Sequence, residues 1–267
     1  MSRIQKVIKY LAISFAICLI VSIISSIMYG IISLTNVFSK SDNVTNLNEV
    51  KINNDISSLD IDLSNVNVMI KKGNNFKIET NSDNINYRVV ENNLFINQKD
   101  DNWFNRKVNS DLIIYVEKNF VFDFVLIENG AGILDINDLS TNELELDLGA
   151  GKVTIDKLTV LKEASIDGGA AEVNISNSSI NNLDLDMGIG KVLISSTLTG
   201  NSKIDAGIGE VDLNLLDKED NYKINIDKSI GEIIIDGNKV GEENSYGNGL
   251  NTIDISGGIG SININFK

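Results

Sequence analysis

Three residue types in DLGAGKVTID, residues 147–156, could do chemistry. Gly149 and Gly151 leave backbone amides bare, Lys152 follows at once, and Asp147 precedes them. Bare amides beside a lysine are how phosphates are cradled, so a nucleotide site is the first reading to test. The stretch lacks the four-residue spacer and the Ser/Thr of GxxxxGK[ST], and no third glycine completes GxGxxG. The rest of the catalytic repertoire is narrow. The 267 residues contain no His, no Pro and a single Cys, Cys18. That excludes imidazole acid–base chemistry, Ser–His–Asp and Cys–His nucleophiles, the ordinary zinc set and any internal disulfide.

The glycine phrase is a repeat rather than a site. It returns as ENGAGILDI, DLGAGKVTI, DGGAAEVNI, DMGIGKVLI, DAGIGEVDL, DKSIGEIII and SGGIGSINI. Anchored on the second small residue, these copies fall at Gly132, Gly151, Ala171, Gly190, Gly209, Gly231 and Gly260, with a degenerate earlier copy at Val66. The spacings are 19, 20, 19, 19, 22 and 29 residues. Apolar residues alternate before each anchor, as in Leu144, Leu146 and Leu148, and again after it, as in Val153 and Ile155. Period two marks half-buried strands, and serial strand–turn–strand units of this length stack into an all-β solenoid. In this reading Gly149 and Gly151 make a corner and Ala150 fills the coil. At ~4.8 Å per rung, eight copies would form a rod on the order of 40 Å long.

Stacking turns recurring outward residues into columns. Four residues before the anchors stand Asp62, Glu128, Asp147, Asp167, Asp186, Asp205 and Asp227, with Ser256 in the last copy. One residue after them stand Lys152, Glu172, Lys191 and Glu210, alternating in sign. Adjacent rungs should pair those opposite charges, Lys152 with Glu172, and so fix the register. The acidic column has two readings. Carboxylates at rung spacing could hold Ca²⁺, with Asp147, Asp167, Asp186, Asp205 and Asp227 as candidate ligands. A hard cation wants six to eight oxygens close together, and one Asp per rung supplies too few. The structural alternative is that each Asp accepts a hydrogen bond from turn backbone. No cofactor is expected.

The N-terminus sets the compartment. Residues 11–34, LAISFAICLIVSIISSIMYGIISL, carry no charge and are long enough to cross a bilayer as a helix. Arg3, Lys6 and Lys9 precede the run without an acidic residue, which keeps residues 1–10 cytoplasmic and the remainder outside the cell membrane. A cleaved signal peptide would have a shorter apolar region and a small-x-small site, and SIMYGI offers none. Without those three cations the formal net charge moves from −14 to −17. Such a surface repels nucleic acid and favours cationic peptides, metal ions or simple solubility.

Residues 35–58 read as a polar tether, 59–127 as an irregular N-terminal β portion, and 128–267 as regular rungs. In FVFDFVLI, Val125 and Ile127 should point inward, leaving Phe122, Phe124 and Leu126 as a second apolar face for another layer to cover. Trp103 and Phe104 in DDNWFNRK are candidate partner contacts, or fold back on the nearest strand. The chain stops at Phe266 and Lys267 just after the last rung, so either loop 236–252 folds over that sheet edge or a partner strand adds at Phe266.

One resemblance bears on this pattern. The membrane helix, the stretch IIYVEKNFVFDFVLIENGAGILDI, the serial Gly-x-[small/acidic]-[V/I]-x-[I/L] rungs and the closing I-x-I-x-G-G-I-G-S-I-x-I resemble the "putative adhesin" domain family of unknown function, found in low-GC Gram-positive bacteria. It covers roughly residues 50–266. Relatives commonly carry Pro before the bend, where this chain has Glu117–Lys118. The resemblance implies a β-solenoid, no catalytic residues and a cell-envelope context, in some relatives a stress module. The expected function is a membrane-anchored, non-enzymatic rod offered to an envelope protein or cell-wall partner. The alternatives are a module binding a cationic antimicrobial peptide, metal ion or cell-wall glycan, and last a polysaccharide-active enzyme. Regular rungs leave that enzyme little room for a cleft.

Overall fold

The computed structural model describes residues 47–52, 55–99, 110–240 and 245–267, and their regular elements are strands apart from one 3-10 turn at Glu219–Asn221. The alternating pattern becomes alternating burial. Leu144, Leu146 and Leu148 face inward with at most 4% of their surface exposed, while Glu145 and Asp147 face out. Every strand of the solenoid belongs to one sheet wound around a single aliphatic core. Each fully buried Leu, Ile or Val contributes roughly 1.5–3 kcal/mol.

The strands are short at the N-terminus: β1 (Asn48–Lys51), β2 (Ser58–Leu63), β3 (Asn67–Gly73), β4 (Lys77–Thr80), β5 (Ile85–Val90), β6 (Asn93–Gln98) and β7 (Asp111–Glu117). β8 (Phe122–Asn181) then winds unbroken through successive rungs, followed by β9 (Leu183–Thr199) and β10 (Asn201–Leu215). Parallel pairing keeps the rungs in phase. Ile166 lies on Leu185 and Leu185 on Ile204 along one side, with Val173, Val192 and Val211 aligned along the next.

Three corners turn each rung. The first is the glycine phrase, where backbone packs directly on backbone. A Cβ at Gly151 would lie 2.0 Å from the carbonyl oxygen of Gly132, at Gly209 1.8 Å from that of Gly190, and at Gly260 1.6 Å from that of Gly209. The preceding column, Gly130, Gly149, Gly169, Gly188, Gly207 and Gly258, is as tight, at 2.3 to 2.7 Å. At the second corner Asp138, Lys157 and Asn177 take left-handed backbone (φ 61, 57 and 50°). The third turns at Asn182, whose side chain donates to the Lys162 carbonyl (2.8 Å) and accepts from the Asn201 amide (2.9 Å). The middle residue of the first corner departs from expectation. Ala150 does not fill the coil, because it sits half-buried on the outer edge between its two glycines.

The rungs also do not stack in chain order. β11 (Tyr222–Ile235), β12 (Asn238–Lys239), β13 (Ser245–Gly247) and β14 (Asn251–Phe266) complete the chain. β14 inserts between β10 and β11, so that Val211 pairs with Ile262 and Ile262 with Ile233. The N-terminal end repeats the device. β2 and β3 form the rung anchored at Val66 and stack on β8, with Ile61 on Ile127 and Ile70 on Ile136. Outside them lie β6 and β7, with Ile96 on Ile61 and Ile114 on Ile70. β6 and β7 therefore make a further rung; Trp103 and Phe104, the aromatic candidates between them in sequence, lie outside the described residues.

Antiparallel strands close both ends. β5 pairs with β6, β4 with β7 and β1 with β4 at one end; β12 and β13 pair with β11 at the other. β12 and β13, within the expected loop 236–252, thus pair along β11, while β14 is paired on both sides. Phe266 stacks on Tyr246 and leans on Tyr222, and its amide donates to Asp236 (3.1 Å). In FVFDFVLI, Val125 and Ile127 do point inward. Phe122 differs from expectation: it is fully buried against Phe76 and Phe120. Phe124 and Leu126 stay half-buried on the outside. Among the described residues no helix is long and apolar enough to cross a membrane, and the expected span at 11–34 lies outside them.

Two outcomes test this architecture. Gly209→Ala should lower stability by at least about 3 kcal/mol, because its Cβ meets fixed backbone. Gly237→Ala, with φ +74° and nothing within 4 Å, should cost only about 1–2 kcal/mol of backbone strain. Thermal melts showing equal losses would refute the close-approach account. Ending the chain at residue 250 should strip hydrogen-exchange protection from residues 222–235 and expose β10. Retained protection across 222–235 would mean that β11 stacks on β10 without β14.

Candidate functional site

Two sides of the rod meet at the glycine corner, and they treat charge in opposite ways. On the side following the corner, most charges are paired, Asp135 excepted, which burial and then the like charge of Asp156 push above the ordinary carboxylate value. Lys152 bridges to Glu172 at 2.9 Å, as the alternating signs require, and Lys191 bridges to Glu210 at 2.8 Å and Asp212 at 3.6 Å. Asp156 accepts from Ser176 (3.0 Å) and Asn177 (2.7 Å), and those bonds hold its carboxyl below the usual carboxylate range. Asn263 donates to Asp212 at 2.7 Å.

The side preceding the corner carries the acidic column. Asp62 registers on Glu128, Asp167 on Asp186, Asp186 on Asp205, Asp205 on Ser256 and Ser256 on Asp227. Asp147 bridges the gap, since its charge acts on both Glu128 and Asp167. Among the described residues, Asp147, Asp167, Asp186 and Asp205 make no side-chain hydrogen bond or ion pair, so the expected bond to turn backbone is not formed. Glu128 is pushed above the ordinary value by burial and then by Asp62 and Asp147; Asp167 by burial and then by Asp186, Asp147 and Asp184.

Two residues earlier in each rung the outward position is mixed: Asp60, Leu126, Glu145, Ser165, Asp184, Lys203, Asp254 and Asn225 in stacking order, with Lys203 registered between Asp184 and Asp254. Asp254 is partly answered by Asn225 at 2.6 Å. Asp60 is raised by burial and by Asp62, and eased by Arg88. The carboxylates are strung along the axis, and among the described residues no three ligating side chains converge where a metal ion could be held.

The inserted strand accounts for the odd last copy. Ser256 stands between Asp205 and Asp227, and Ser261 between Glu210 and Glu232. In chain order those carboxylates would have met directly. The neutral serines and the spacing of 29 were the available signals for the insertion.

A cleft at the N-terminal end, lined by Glu49, Lys51, Lys72, Lys77 and Tyr115 among others, is a weaker candidate. Lys77 is committed to Glu79 (2.5 Å) and Glu49 (3.1 Å), and Lys72 to the Glu117 carbonyl (3.4 Å). Little charge is left there for an anion. Phe266, a sequence candidate for partner contact, packs among Tyr222 and Tyr246 as described.

Comparison with known proteins follows from this geometry. A "putative cell adhesion protein" from Clostridium sporogenes is similar in structure, with 19% identity and a TM-score of 0.37 over 83% of this chain and 99% of that one. A "putative adhesin" from Bacteroides fragilis has 15% identity and a TM-score of 0.39 over 82% and 96%. Another "putative adhesin", from Parabacteroides merdae, has 13% identity and a TM-score of 0.30 over 83% and 95%. No curated protein matches the chain. The family model Toastrack DUF4097 matches residues 56–256, from the first inward residues of the solenoid into its inserted strand, and the chain belongs to that family.

Proposed function

We propose that this chain is a non-catalytic, adhesin-like protein of the cell envelope. Residues 11–34 hold it in the cell membrane, and the rod stands outside, offering its acidic side to a basic protein or cell-wall partner. The observation that supports this reading is the column from Asp62 through Asp205, carboxylate over carboxylate at rung spacing, in which Asp147, Asp167, Asp186 and Asp205 make no ion pair among the described residues. Solubility alone would be served as well by the interleaved signs of the neighbouring side. Stacked like charges cost stability, and that cost is recovered when a cationic surface replaces the solvent. Because the column is linear, it suits an extended or polymeric partner better than a small ligand.

The same repulsion sets the pH dependence. Glu128 and Asp167 have folded-state values above their ordinary 4.5 and 3.8, so the folded chain binds more protons than the unfolded one in that range. Stability should therefore rise as pH falls from neutral towards those values. It should fall again below them, where the lowered Asp156 becomes protonated and loses the stabilisation from Asn177 and Ser176. Melts between pH 7 and pH 3 should show a maximum at mildly acidic pH; a monotonic loss from pH 7 downward would contradict the repulsive column.

Replacing Asp147, Asp167, Asp186 and Asp205 together by Asn separates binding from folding. The variant should melt a few degrees higher at neutral pH while binding of polylysine, a stand-in for a basic surface, weakens and loses most of its salt dependence. Unchanged, equally salt-sensitive binding would show that the column is not the recognition surface.

A further inference from the structure

The outer edge of the glycine corner carries a second surface. Its middle residues are Ala131, Ala150 and Ala170, then Ile189, Ile208, Ile259 and Ile230 in the order in which the rungs stack. Ile189 registers on Ile208, Ile208 on Ile259 and Ile259 on Ile230, so four isoleucines form one continuous ridge. Ile259 is 38% exposed and Ile230 63%. Glycines on either side give Ile189, Ile208 and Ile259 no shelter. On one flank Gly188, Gly207 and Gly258 form a floor of bare backbone, and the unpaired Asp186 and Asp205 stand just beyond it. The result is a shallow groove with an apolar wall, a backbone floor and a carboxylate wall.

We propose that this groove docks a basic amphipathic helix of a partner protein, lying along the rod axis with its apolar stripe on Ile189, Ile208, Ile259 and Ile230 and its cations over Asp186 and Asp205. The proposal rests on the acidic-side reading above and names the partner's form. Spacing selects a helix. One α-helical turn is ~5.4 Å against ~4.8 Å per rung, so three steps accumulate only ~2 Å of mismatch, within the reach of Lys or Arg. Same-face residues of an extended strand repeat at ~6.7 Å and fall ~6 Å out of step over the same distance. Charge gives a second copy of this chain nothing to gain. Ridge against ridge, its carboxylates would meet either the same column or a flank whose Lys191, Glu210 and Glu232 are already paired.

The test uses the full chain in non-ionic detergent and a 14-residue Leu/Lys peptide of helical periodicity bearing photo-activatable leucine. Crosslinked residues are read by mass spectrometry. Crosslinks should fall on residues 186–210 and 254–261. A scrambled peptide of equal composition, or one with Glu for Lys, should be captured about tenfold less. The pair Ile208→Ser with Ile259→Ser should reduce capture about tenfold at an unchanged melting temperature, and Asp186→Asn with Asp205→Asn should reduce capture about tenfold without lowering it. Crosslinks elsewhere, or equal capture of the scrambled peptide, overturn the proposal without requiring any variant. If only the Asp pair reduces capture, the ridge falls and the acidic-side reading stands. If neither pair does, both fall.

Discussion

The structure depends on backbone packed against bare backbone at the glycine corner. Where the corner residue is glycine, a rung passes over the one before it with a carbonyl oxygen where a Cβ would otherwise be, as at Gly209 on Gly190 and Gly260 on Gly209; Ala171 is the exception among the regular rungs and is buried in the core. A side chain there would push the rungs apart, and the ladder hydrogen bonds on both adjoining sides would stretch together. Because the contact recurs at a fixed place in each rung, it also fixes phase. Inward residues fall on inward residues and outward columns become straight. The charge pattern of the surface follows from a contact that involves no charge.

That uniformity leaves the order of the rungs undetermined by the core. Val192, Val211, Ile262 and Ile233 are nearly interchangeable where they stack, so almost any rung could sit on any other. Order is settled by what differs. Ser256 and Ser261 are the neutral residues that allow the last strand between two acidic rungs, and Asn263 and Asn265 find Asp212 and Asn214 across the junction. Loop 236–252 supplies the length to return. Chain ends of stacked repeats ordinarily fray, because a terminal repeat has one neighbour. Here the last strand has two, and the outermost rung at each end is bordered by antiparallel strands tied to it by short turns.

What could be read without the structure follows the same division. The repeat, the inward and outward alternation, the corner glycines and the Lys152–Glu172 pair are properties of one rung or of neighbours adjacent in the chain, and local spacing carries them. The placement of β14, and the rung made from β6 and β7, depend on pairings 51 and 44 residues apart. No period reports those. Ala150 was misplaced for a different reason. Strict alternation predicts its face only if the chain stays extended, and the positive φ of Gly151, 144°, breaks the alternation at that point. The acidic column was legible as a column. That its carboxylates stay without partners was not, since an Asp four residues before a glycine turn ordinarily bonds backbone nearby.

A repeat this uniform can carry specificity only in its departures from itself. Inward positions are constrained by the core and corner positions by the backbone contact, which leaves the outward columns free. Along them the chain keeps one column of unpaired acid on one side and mostly paired charge on the other, and at the corner it changes from alanine to isoleucine at Ile189 and holds isoleucine to the C-terminal end of the solenoid. Nothing in the packing asks for that change, because the glycines beneath are the same at Gly149 and Gly207. Solvent penalises it as well: an exposed isoleucine at Ile230 gains nothing from folding that alanine would not. Residues that neither the fold nor water rewards mark where a partner's contact energy enters. In the docking proposed above, that contact falls on the rungs that carry Ile189, Ile208, Ile259 and Ile230.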